Sequence, residues 1–174
     1  MLNRLLRGDP RSSGLVNDLV ADVMRDPSRL RPVLDGMLSS DAAVRLRSAK
    51  VVERISASRP ELLQPFTRRL LDETANGPGD EAQSQVALAL PRIQLTDEQR
   101  RQAESILTAF LTGRSGVARA AAAKALADFA LHDPALRARI GPLLGGLAKS
   151  GGAAAQARGR RLLERLAESG RTNR

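Results

Sequence analysis

The chain has 174 residues, 42% of them apolar, enough for one domain with a continuous core and too apolar for a disordered chain. It has no Cys and one His, which excludes disulfides, thiolate metal sites, cysteine nucleophiles and histidine-pair metal sites. The formal net charge is +9, no run approaches the roughly 20 apolar residues of a membrane span, and a soluble, cytoplasmic protein is expected.

The elements follow in chain order. Residues 1–14 are short and basic, broken by Gly8, Pro10 and Gly14, and read as an N-terminal cap or a frayed segment. They hold no apolar run long enough for a signal peptide. Leu15, Val16, Leu19, Val20, Val23 and Met24 have helical spacing and predict an amphipathic helix over 15–25, which Asp26-Pro27 ends. A partner helix over 27–38 carries Leu30, Val33, Leu34, Met37 and Leu38. Asp41 is an N-cap candidate for a helix over 41–58 whose apolar face is Val44, Ser48, Val51, Val52 and Ile55. Its partner starts at Pro60 with Leu62, Leu63, Phe66, Leu70 and Leu71, and Pro65 either kinks it or marks its real start.

Asn76-Gly77-Pro78-Gly79 is the strongest break and predicts a loop between repeats. A helix over about 80–93 follows, with Pro91 an irregularity near its end. Thr96 and Gln99 have capping-box spacing ahead of a helix to about 112. Ser115 opens an Ala-rich helix through Leu126 and Phe129, and His132-Asp133-Pro134 breaks it. Leu136, Ile140, Leu143, Leu144 and Leu147 mark the next helix, weakened at its end by Gly145-Gly146. Ser150-Gly151-Gly152 precedes a last helix, about 153–168, and residues beyond 169 read as a mobile tail.

These helices repeat. Ala49, Val52 and Ile55 recur as Ala87, Leu90 and Ile93, as Ala123, Leu126 and Phe129, and in part as Leu163 and Leu166. Pro60, Leu62, Phe66 and Leu70 recur as Pro134, Leu136, Ile140 and Leu144. A constant period of one helical pair is the signature of an α-solenoid, because a single pair cannot cover its own apolar face. A multi-helix bundle, the alternative fold, needs no such period. With no Trp, no Tyr and three Phe, the core must come from aliphatic residues and Ala, which suits closely spaced helices.

The run Asp41-x-x-Val44-Arg45-x-x-x-Ala49-x-x-Val52-x-x-Ile55 resembles the HEAT repeat, of the armadillo-like kind. Val117, Arg119, Ala123 and Leu126 are a weaker echo. The resemblance implies a small HEAT-repeat protein of bacterial type. Its fold would be all-α, a right-handed α-solenoid of four to five helical hairpins over residues 15–169. It also implies that the Asp-capped helices line the concave face, and that Asp41, Arg45 and Arg119 make structural contacts between repeats. The third unit departs from the pattern, with Gln83 in place of Arg and Pro91 inside the helix.

No catalytic constellation is legible. His132 stands alone in a turn, and the Gly pairs follow no strand and lack a P-loop Lys-Ser/Thr. Asp72-Glu73, Asp80-Glu81 and Asp97-Glu98 sit at helix ends, where capping or solvation accounts for them. Residues 137–174 hold nine basic side chains and two acidic ones, and 25 of the 28 basic residues are Arg. That excess fits either Arg-rich composition or an anion-binding surface. Arg47, Lys50 and Arg54 form one stripe, and the last helix repeats it as Arg158, Arg161 and Arg165. These six are the candidate sites for an anionic partner, and the two stripes would be basic ends of a groove about 30 Å apart if helices stack at roughly 10 Å. Two functions remain: a non-enzymatic scaffold holding a protein on its concave helix face, or sequence-independent nucleic-acid binding in a basic groove. No cofactor is expected. A HEAT-like DNA glycosylase would need aromatic side chains and a catalytic carboxylate in its groove, and the chain lacks Trp and Tyr.

Overall fold

The computed structural model describes residues 13–149 and 152–172, and the regular structure among them is helical. The expected N-terminal cap, apart from its last residues, lies outside the described residues. Helix α1 is Ser13–Arg25, with Val16, Leu19 and Val23 buried. Asp26 then caps a 3₁₀ turn, Pro27–Arg29, accepting from Ser28 N (3.2 Å) and Ser28 Oγ (2.6 Å). The expected helix over 27–38 is therefore this turn followed by a shorter α2, Leu30–Gly36.

Helix α3, Ala42–Ser58, starts at the Asp41 cap, whose Oδ1 accepts from Ala43 N (2.7 Å) and Val44 N (3.3 Å). All five residues of its expected apolar face are buried. Pro65 marks the real start of the partner. Residues Pro60–Phe66 form a 3₁₀ stretch, and α4 runs Thr67–Asn76. Gly79 has φ +94°, a conformation other residues rarely adopt, and leads into α5, Asp80–Ala89. Pro91 has no N–H to continue the ladder, so α5 stops earlier than 93 and Leu90–Arg92 is a 3₁₀ turn.

Helix α6, Asp97–Thr112, opens with the expected capping box: Gln99 N donates to Thr96 Oγ1 (3.2 Å) and Thr96 N to Gln99 Oε1 (3.0 Å). Helix α7, Gly116–Ala130, is capped by Ser115 and buries seven Ala residues beside Leu126 and Phe129. Small side chains on most of its circumference let neighbours approach from several directions. Helix α8, Pro134–Lys149, buries Leu136, Ile140 and Leu144, and runs through Gly145-Gly146 without breaking. Helix α9 is Ala153–Thr172. It extends past the expected end at 168, because Ser169 Oγ donates to the Leu131 carbonyl (2.6 Å) and Arg137 Nη2 reaches Ser169 Oγ (3.4 Å). Residues 170–172 thus form the last turn of this helix.

Contacts divide the chain into two compact units, residues 1–103 and 104–174, with the boundary inside α6. In the first unit α3 packs against α1, α2 and α5, and α4 packs against α5. In the second, α7, α8 and α9 pack pairwise. The α8–α9 contact is close at Gly159, where a Cβ would lie 2.7 Å from Ala148 N. We call α1, α3 and α5 the front row of the first unit, and α7 and α9 that of the second. The other helices form the back row.

Candidate binding surface

The front-row stripe is built differently in the two units. In the first, Arg47 is 2% exposed. It therefore cannot face a partner as expected. A helical wheel places it at the edge of one apolar face, but α3 is enclosed by three helices, and position 47 lies inside that wider contact. Lys50 and Arg54 are half-buried, and an Arg54 Nη1 donates to Asn17 Oδ1 on α1. In the second unit Arg158, Arg160, Arg161 and Arg165 are exposed, since no described helix follows α9. Arg165 Nη1 donates to Asp128 Oδ1 (2.6 Å), and Lys124 Nζ donates to Asp128 Oδ2 (2.9 Å). Asp128 thus draws two cations from adjacent front-row helices onto one carboxylate.

Several other arginines hold neighbouring repeats together, and for Arg69, Arg92 and Arg139 sequence reasoning missed that role. Arg92 Nη1 donates to Glu53 Oε1 (2.7 Å), the Glu53 carbonyl (3.0 Å) and Ser56 Oγ (2.9 Å). In the back row, Arg69 donates to Asp35 Oδ1 (2.9 Å) and the Leu34 carbonyl (2.8 Å), and Arg139 pairs with Glu104. Arg137 Nη2 donates to the carbonyls of Ala130 (3.2 Å) and Leu131 (2.8 Å), at the C-terminal end of α7. A planar guanidinium has enough donors to satisfy several end-of-helix carbonyls at once, which an ammonium point charge does less well.

Of the residues the family resemblance singled out, Arg45 does join two repeats. It donates to the Ser39 and Ser40 carbonyls (both 2.8 Å) and to the Pro78 carbonyl (3.1 Å) in the loop before α5. Asp41 caps its own helix. Arg119 Nε is enclosed without a hydrogen bond among the described residues. Beside Arg45 an open cleft of about 410 Å³ is lined by Ala42, Leu46, Pro78 and Ala82, with Asp80 and Glu81 at its edge.

Glu73 also departs from expectation. It is 8% exposed rather than solvated, on the same row as buried Leu70 and Thr74. Burial pushes its carboxyl above the ordinary range, Asp72 adds to the shift, and the Arg69 charge opposes it from 4.0 Å. It borders a cavity of about 10 Å³ with Met37, Gln83 and Val86, the size of a single water. His132 is exposed in its turn. Among the described residues no three His, Cys, Asp or Glu are grouped to hold a metal ion, and no helix is long and apolar enough to cross a membrane.

No protein-family model and no curated protein sequence matches the chain. Solved structures do. The designed armadillo repeat protein YIII(Dq)4CqI is similar at a TM-score of 0.58 and 19% identity, over 95% of this chain and 80% of that one. An engineered protein, a Northeast Structural Genomics Consortium target, is similar at a TM-score of 0.56 and 16% identity, over 97% and 95%. At such identities the likeness concerns the fold: an all-α solenoid of armadillo/HEAT-like helical repeats.

Proposed function

We propose that the protein is a non-enzymatic interaction scaffold that holds another protein on its front-row helices. The observation that carries this reading is the locking of successive front-row helices by side-chain bonds, Arg54 to Asn17, Arg92 to Glu53 and Arg165 to Asp128. Residues on a face locked in this way keep a fixed spacing before any partner arrives, which lowers the ordering cost of binding. The repeat fold supports the same reading, since stacked repeats present extended binding surfaces. A chain without Cys suits a reducing compartment, and this reading takes the cytoplasm as its location. Sequence-independent nucleic-acid binding is the second reading, favoured by the cations gathered at Asp128.

The test is site-specific photo-cross-linking in the native cell. A cross-linker at Lys50, on the front row, should capture a discrete protein, and one at exposed Arg68, on the back row, should not. Equal capture from both positions, or capture from Arg68 alone, refutes the reading.

A further inference from the structure

We infer that the front row of the second unit is a docking surface for the phosphate backbone of a nucleic-acid duplex, with Lys124, Arg158, Arg161 and Arg165 as its contacts. The inference rests on the second reading above and gives it a location. Two of these cations, Lys124 and Arg165 on adjacent helices, share the Asp128 carboxylate, whose side chain is only 16% exposed. Arg158 and Arg161 are exposed and hold no ion pair among the described residues. At about 100° per residue, Arg158, Arg161 and Arg165 fall within an arc of about 60°. Glu168 and Glu164 follow about 20° and about 60° beyond Arg161, on the flank away from Arg158.

The contact set, four cations and Asp128, carries a net of three positive charges. Three of its four cations are guanidinium groups, which match phosphate oxygens with two parallel donors. From Arg158 to Arg165 the helix rises about 10 Å, and a duplex presents one phosphate per about 1.7 Å of axis, so the patch faces several phosphates. No Trp or Tyr exists to stack on unpaired bases, and this selects the duplex over a single strand and makes the contact independent of sequence.

The probe is a labelled DNA duplex of about two helical turns, followed by fluorescence anisotropy with the full chain. With three net charges engaged, affinity should fall about 40-fold between about 50 and about 200 mM salt. The double variant Arg158→Ala/Arg161→Ala should bind more weakly and lose only about 3- to 4-fold over that range, with its thermal melt unchanged. The control Arg31→Ala/Arg68→Ala removes the same charge from exposed positions of the first unit and should bind as the parent does. No duplex binding at low salt overturns the inference, and so does an equal loss in the control. Retention of polyglutamate in preference to the duplex also overturns it, in favour of an acidic protein at the same patch. All three outcomes leave the scaffold reading standing, to be decided by its own cross-linking test.

Discussion

Two glycine-to-alanine substitutions in neighbouring helices of the second unit should act with opposite sign. Gly145 lies within α8, where an added Cβ would meet nothing within 4 Å. Gly145→Ala should therefore gain the usual helix-propensity difference, about 0.5–1 kcal/mol. Gly159 lies in α9 against α8, where the Cβ would sit 2.7 Å from Ala148 N, 2.8 Å from Ala148 Cα and 3.0 Å from Ala148 Cβ. Two of those atoms are backbone, so a rotamer change cannot relieve the overlap and the helices must separate. Overpacking of this kind costs about 1–3 kcal/mol. Set against the same propensity gain, Gly159→Ala should be destabilising by about 1–2 kcal/mol. Urea unfolding followed by far-UV circular dichroism reads both variants, as shifts of midpoint at constant slope. If Gly159→Ala stabilises the protein as much as Gly145→Ala does, the close α8–α9 approach is wrong.

Four other substitutions probe separate features. Leu126→Ala empties a fully buried position of α7 and should cost about 2–5 kcal/mol in the same assay, so a change near zero would refute the repeat register. Ser48→Ala removes a buried hydroxyl with no hydrogen-bond partner and should stabilise by about 1 kcal/mol, read as a raised urea midpoint. Glu73 holds its proton more tightly folded than unfolded, so its contribution to stability falls as pH rises from the ordinary glutamate range through its raised folded value. Glu73→Gln should thus be more stable than the parent at pH 7, with the difference shrinking toward pH 4 in a pH series of unfolding curves. Arg92→Lys keeps the charge but not the three-way donation to Glu53 and Ser56, and should lose about 1–2 kcal/mol.

The solenoid was legible because its causes are periodic. Apolar spacing marked the core, Asp41 and Ser115 marked helix starts, and Pro65 and Pro91 marked where an α ladder cannot run. Boundaries were missed where the deciding partner is distant in sequence. The last turn of α9 is held by Arg137 and the Leu131 carbonyl, and no pattern within residues 169–172 announces them. The candidate site was legible only in part, for a related reason. Arg47, Lys50 and Arg54 repeat as Arg158, Arg161 and Arg165, yet equivalent positions have different neighbours. Arg47 is enclosed by flanking helices, while Arg158 has none beyond it among the described residues. The arginine bonds were harder still, because many of their acceptors are backbone carbonyls, which every residue carries. Glu73 reads as half of a solvated acidic pair until its row is followed to Leu70 and Thr74.

Five of the arginine bonds between repeats share one direction, while Arg45 and Arg137 reach forward, to the Pro78 carbonyl and Ser169 Oγ. Arg54, Arg69, Arg92, Arg139 and Arg165 each reach back to an acceptor 37, 34, 39, 35 and 37 residues earlier. Each repeat thus carries the plug for the socket behind it. Within a unit, a module of one repeat length spliced in at a loop brings its own plug and presents a new socket, keeping the line of connections unbroken. One that is several residues too long or too short moves plug and socket out of reach while leaving every helix intact. The chain can therefore change length in whole steps, and its helices alone do not set the step size.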